Sequence, residues 1–229
     1  ALGNTGESNR TLRKDETAPT VTISTPAANA IFSEAFTFTA TIADPGPGSS
    51  NVTGAHYQVT QGAYTSAWTP AAFSSGAGTS RTVSQTISES IWSSLEQGAF
   101  TLYVKGTDVL GNAGQTTRGL KKDTAGPTVT ITGPAENSVH STPPTLAATV
   151  DDSASGNSNV STASYKVIQG VYDSGWQTAS LSGSGASRTV SQAISSTIWN
   201  ALVEGNITVQ IQGVDAAGNT GTASRILKV

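Results

Sequence analysis

The sequence predicts an all-β chain: two antiparallel β-sandwiches in tandem, each with one short crossover helix. Three observations carry this. First, the chain repeats. Gly106-Thr107-Asp108-Val109-Leu110-Gly111-Asn112 returns 107 residues later as Gly213-Val214-Asp215-Ala216-Ala217-Gly218-Asn219, and its back half stands 108 residues earlier, in Ala1-Leu2-Gly3-Asn4. A fixed period marks a tandem array, and two units of this length in 229 residues have ordinary domain size. Second, each unit holds about seven short segments of alternating polar and apolar residues between Gly/Pro-rich breaks, the pattern of a sandwich. Third, charged residues make up 12% of the chain and Gly, Ser and Thr are heavy, while 36% hydrophobic residues suffice for two modest cores.

The period divides the chain into residues 1–14, read as the last strand of a preceding repeat, 15–122 as repeat 1 and 123–229 as repeat 2. In repeat 1, Thr20 to Ile23 sets Val21 and Ile23 on one face. Phe36 to Ile42 is the clearest strand, with Phe36, Phe38, Ala40 and Ile42 inward and threonines outward. Asp44-Pro45-Gly46-Pro47-Gly48 breaks it into a loop. Strands follow at Ala55 to Val59, Trp68 to Phe73, Arg81 to Ile87, Phe100 to Lys105 and Gln115 to Leu120, with Lys121-Lys122 read as a solvated strand end. Ile87, Ile91, Trp92 and Leu95 have helical spacing, with Ser88 placed to cap and Gly98 to terminate. A short helix therefore crosses between sheets before the penultimate strand, its Trp92 directed to the core.

Repeat 2 matches element by element. Leu146, Ala148 and Val150 answer the Phe36 strand, and Ile207, Val209 and Ile211 the Phe100 strand. Ile194, Ile198, Trp199 and Leu202, with Ser195 and Gly205, repeat the helix. Tyr57 corresponds to Tyr165, Trp68 to Trp176 and Arg81 to Arg188.

Composition narrows the function. A formal charge of -3 leaves no basic footprint for nucleic acid. No run approaches a membrane span, and no signal peptide is visible. The absence of cysteine fixes no compartment: a secreted eukaryotic protein would be expected to hold a disulfide, and large bacterial surface proteins suit its absence at least as well. His56 and His140 are unrepeated and far apart, and no serine lies in a Gly-x-Ser-x-Gly elbow, so no enzyme is legible.

Pro-Thr-Val-Thr-Ile (19–23 and 127–131) after an aspartate linker, then Gly-Ala-Phe-Thr-Leu-Tyr-Val (98–104), then G-x-D-x-x-G-N, together resemble the bacterial immunoglobulin-like repeats of large surface adhesins and related extracellular proteins. The resemblance covers essentially the whole chain. It implies Ig-like sandwiches strung in tandem, often with calcium at the joints. The helices carrying Trp92 and Trp199 depart from the simplest members.

Six of the eight aspartates occupy three repeated positions: Asp15 and Asp123 in the linkers, Asp44 and Asp152 after the second strand, Asp108 and Asp215 after the penultimate strand. In an Ig-like sandwich these three places share one end of the domain. Asp15 is expected to approach Asp44 and Asp108, and Asp123 to approach Asp152 and Asp215. Converging carboxylates repel, and a hard divalent cation with oxygen ligands relieves the repulsion. Asn112 and Asn219 offer carbonyl ligands, and calcium suits an irregular oxygen shell. The same phrase is also a good turn without any metal, because Asp accepts backbone N–H groups and Gly and Asn tolerate positive φ. Both readings stand at this point.

Trp68 and Trp176 lie in polar surroundings, either as core or as a sugar-stacking platform. The leading functional expectation is a non-catalytic spacer of a longer extracellular bacterial protein, with neighbouring repeats of the same chain as partners. The alternative is a carbohydrate-binding or adhesive module pair attached to a secreted enzyme or adhesin, with a glycan or surface ligand.

Overall fold

The computed structural model describes residues 7–8, 14–46, 48–154 and 158–229. The reading of 1–14 as a final strand therefore lies, but for residues 7, 8 and 14, outside the described residues.

Four sheets form two sandwiches. In the first, β1 (Thr20–Thr25), β3 (Thr37–Ala43), β8 (Ser80–Thr86) and β7 (Phe73–Ala77) lie in the order β1-β3-β8-β7. The facing sheet runs β2 (Ile31–Phe32), β10 (Ala113–Lys122), β9 (Gly98–Asp108), β4 (Val52–Gln61) and β5 (Tyr64–Thr65), with β6 (Thr69–Pro70) also pairing β4. Pairing is antiparallel except between β2 and β10, where Ile31 lies beside Lys121 in parallel. Four strands facing a sheet built on the fourth, penultimate and last long strands is the immunoglobulin arrangement.

The second sandwich repeats it. β11 (Thr128–Gly133), β12 (Thr145–Asp151), β17 (Ser187–Ala193) and β16 (Leu181–Ser182) make one sheet. β14 (Tyr172–Asp173), β13 (Val160–Gln169), β18 (Asn206–Asp215) and β19 (Thr220–Lys228) make the other, with β15 (Gln177–Ala179) beside β13.

Alternation produces these strands as expected. Phe36, Phe38, Ala40 and Ile42 are buried, as are Leu146, Ala148 and Val150 and the inward residues of β9 and β18. Helices α1 (Glu89–Ser94) and α2 (Ser196–Trp199) cross between sheets, begun by Ser88 and Ser195, whose hydroxyls accept from the N–H groups of Ile91 and Ile198. Both indoles are buried, Trp92 at 5% exposure and Trp199 at 9%. In each repeat the buried tyrosine fixes the helix start: Tyr57 and Tyr165 hydroxyls accept from the N–H of Ser88 and Ser195.

Two expectations are corrected. The single strand from Trp68 to Phe73 is two pieces in different sheets: β6 pairs β4, whereas β7 pairs β8. The chain changes sheets after Ala71, whose N–H still bonds Ala55, so the alternation resets there. Lys122 is no solvated strand end. It is 8% exposed, and its Nζ donates to the carbonyls of Trp92 (2.8 Å) and Leu95 (2.7 Å) at the exit of α1. That helix carries no basic residue in its last turn, and its terminal carbonyls take the cation instead.

The chain divides into two compact units. The first includes residues 36–91 and 101–119; the second comprises 29–35, 92–100 and 120–229 and so contains the exit of α1 and the end of β10.

Candidate metal centre

The site begins with the repeated turn between the last two strands. Asp108 Oδ1 accepts from the N–H groups of Leu110 and Asn112, both at 2.9 Å, while Oδ2 accepts from Asn112 Nδ2 at 2.8 Å. Asp215 does the same with Ala217 (2.8 Å), Asn219 N–H (2.9 Å) and Asn219 Nδ2 (2.9 Å). Gly111 and Gly218 carry φ of 90° and 87°, the left-handed region that closes the turn without a Cβ penalty. Two residues past each asparagine, a Cβ on Gly114 or Gly221 would run into the carbonyl of Pro19 or Pro127, so these glycines let the incoming linker lie against the turn.

The asparagines complete that contact. Asn112 Nδ2 also donates to the Asp15 carbonyl at 3.4 Å and Asn219 Nδ2 to that of Asp123 at 3.0 Å. It is thus the amide nitrogen, not the expected carbonyl oxygen, that faces the aspartates. As placed, Asn112 and Asn219 clip linker to turn.

The remaining aspartates are held by one oxygen each. Asp15 and Asp123 use Oδ1 to accept from the N–H two residues on, Thr17 at 3.0 Å and Ala125 at 3.2 Å. Asp44 Oδ2 accepts from Ser50 N–H at 2.6 Å; Asp152 Oδ2 accepts from Ser158 N–H at 2.7 Å and its hydroxyl at 3.0 Å. The sequence reading overlooked both serines, although each stands six residues after its aspartate.

Asp15, Asp44 and Asp108 form one cluster and Asp123, Asp152 and Asp215 another, each residue contributing an oxygen within 4.8 Å of the others. All but Asp15 are buried, with Asp123 and Asp152 at 0% exposure. Asp15 Oδ2, Asp44 Oδ1, Asp123 Oδ2 and Asp152 Oδ1 are buried without a hydrogen-bond partner among the described residues. Among the described residues, no ion pair reaches any of the six.

The electrostatics are set by this placement. Burial raises the Asp152 carboxyl above its ordinary range, and the charges of Asp123 and Asp215 add to that against the hydrogen bonds from Ser158. For Asp108 burial also pushes upward, but the Asn112 side chain and the N–H groups of Asn112 and Leu110 outweigh it and hold the carboxyl low. Buried carboxylate oxygens with no donor carry a large desolvation cost. Three of them converging, two orphaned, suit a hard cation with oxygen ligands, so each triad fits a metal ion such as calcium. The turn engages both oxygens of Asp108 and Asp215, while Asp15, Asp44, Asp123 and Asp152 each keep one oxygen without a donor, so the two readings of the phrase are compatible.

The tryptophans of uncertain role separate. Trp68 is half-buried with Lys105 Nζ 4.3 Å from its ring centre; Trp176 is 41% exposed with Lys166 Nζ at 5.2 Å. Trp176 is the only exposed aromatic among the described residues.

No protein-family model and no curated protein matches the chain. Among solved structures, it is similar to a tetra-tandem repeat in the extending region of a large adhesion protein, with 21% identity, 93% of this chain and 49% of that one covered, and a TM-score of 0.34. It is also similar to the extracellular domain of protocadherin GammaB4 (13% identity, 95% and 34% covered, TM-score 0.37). A third is the ICAM-5 D1–D4 ectodomain fragment (11% identity, 91% and 53% covered, TM-score 0.33). The chain spans about half the length of the first and third of these or, for the second, a third.

Proposed function

We propose that the chain is a pair of non-catalytic spacer repeats, 15–122 and 123–229, from a longer bacterial extracellular or surface protein, stiffened by calcium at the linkers. The observation that supports this most is the composition of each triad. One carboxylate comes from the linker and two from loops of the sandwich that the linker enters, and buried oxygens of the linker and second-strand aspartates lack any donor. An ion held by all three ties the linker to its sandwich, so the chain bends less where one repeat follows another. Asp15, Asp44 and Asp108 would hold one ion and Asp123, Asp152 and Asp215 the other. Extracellular calcium modules bind at about 10⁻⁴ to 10⁻³ M, so such sites fill outside a cell.

The rival reading, a carbohydrate-binding or adhesive pair, draws on Trp176. A stacking platform needs several exposed aromatics on one face, and the ring of Trp68 is half-buried under Lys105. The test is small-angle X-ray scattering in millimolar calcium and in EDTA. A spacer with calcium-stiffened joints gives a longer, narrower distance distribution with calcium, and Asp123→Asn with Asp215→Asn removes the difference. Identical curves in the two buffers would remove calcium from the account.

A further inference from the structure

Helix α1 is the part of the first repeat that a sandwich does not require, and its exit grips the two residues flanking Asp123. Before it, Lys122 Nζ donates to the carbonyls of Trp92 and Leu95, 4.8 Å from the Trp92 ring centre. After it, Gln97 accepts from Thr124 N–H at 3.0 Å and donates to the Thr124 hydroxyl. Asp123 itself donates its N–H to the Phe32 carbonyl at 2.9 Å. All of these residues belong to one compact unit. In extended chain, neighbours i−1 and i+1 point one way and residue i the other. With Lys122 and Thr124 turned to the helix exit, Asp123 is turned to Asp152 and Asp215.

Lys14 stands in the corresponding place before Asp15. The Lys14 side chain is 79% exposed and pairs with Glu16 at 2.6 Å. Asp15 is only half-buried, whereas Asp123 is 0% exposed.

We infer that the exit of α1 positions Asp123, and so strengthens calcium binding by the triad of Asp123, Asp152 and Asp215. This rests on the calcium reading of the triads. Lys122 and Gln97 are positioning residues. They touch no ion, and they remove conformational freedom that the linker would otherwise lose on binding.

The test is a calcium titration of the full chain followed by NMR, with the backbone amides of Asn219 and Asn112 reporting the two sites separately. Lys122→Met and Gln97→Ala should each raise the Asn219 midpoint by roughly tenfold, the usual effect of losing an outer support, and leave the Asn112 midpoint in place. Lys122→Arg, which keeps a cation for the two carbonyls, should recover most of the loss, and Lys14→Met should move neither midpoint. Gln97 is exposed, so its variant is a test free of core damage. An unchanged Asn219 midpoint in folded Gln97→Ala and Lys122→Met, or both midpoints moving together, would overturn the inference. If neither amide responds to calcium in the unaltered chain, the calcium reading falls and this inference with it.

Discussion

Replacing Asp152 with asparagine should have opposite effects with and without calcium. Asp152 is fully buried, its Oδ1 has no partner, and its carboxyl is raised by burial first and then by Asp123 and Asp215. The triad oxygens lie within 4.8 Å of one another, and two unit charges at that separation repel by about 3.5 kcal/mol at an effective dielectric of about 20. Protonation and local relaxation take back part of this, so the net relief on removing one charge is about 1–2 kcal/mol. Asparagine keeps an acceptor for Ser158. Its amide nitrogen would take the place of Oδ1, which has no partner to lose. Asp152→Asn should therefore raise the stability of the second sandwich in EDTA, by about 4–8 °C in midpoint for each kcal/mol in a domain of this size. In millimolar calcium the order reverses, because the variant has lost an anionic ligand and the unaltered chain gains binding free energy that it lacks. Thermal melts of both proteins in both buffers decide the matter. A variant less stable than the unaltered chain in EDTA would refute the picture of unrelieved repulsion.

Three further outcomes are expected. Trp92→Ala and Trp199→Ala should each cost about 3–5 kcal/mol in urea denaturation, since both indoles are buried. In EDTA, Asp152 should make stability fall as pH rises. Its folded-state value lies above its unfolded one, so between the two the folded chain holds the extra proton and loses ground as that proton leaves. Carboxyl NMR should show this raised titration return toward the ordinary range in calcium. Asp108 acts in the opposite sense: its folded-state value is low, so its contribution is full above the ordinary carboxylate range and disappears as pH falls through that depressed value, as a pH series of denaturation curves for Asp108→Asn against the unaltered chain would show.

Much of this was legible in the residues, for identifiable reasons. The strand from Phe36 to Ile42 announces itself because alternation maps directly onto two faces, and the helices do so because Ile91, Trp92 and Leu95 break that period. The three aspartate positions could be read because they repeat at a fixed interval, and an Ig-like end brings such loops together. Other features depend on distant chain. β2 has two residues and exists only because Ile31 meets Lys121. The change of sheets after Ala71 is invisible in a run that stays mixed throughout. A lysine at a strand end is ordinarily solvated, and Lys122 is buried only because the carbonyls of Trp92 and Leu95 arrive beside it. The lack of any basic residue in the last turn of α1 was the available signal. The amide orientation of Asn112 and Asn219 is set by the linker carbonyls they reach, which sequence spacing does not encode.

Each linker aspartate is proposed to join two buried loop aspartates around a calcium ion. The most direct measurement is the melting midpoint of the chain in millimolar calcium against EDTA, beside the double variant Asp123→Asn with Asp215→Asn. An ion that binds only the folded state raises the midpoint by mass action. The unaltered chain should show a clear rise, and the double variant only the part of that rise owed to Asp15, Asp44 and Asp108. Equal midpoints with and without calcium in the unaltered chain would contradict it and leave the repeated Asp-x-x-Gly-Asn as a turn alone.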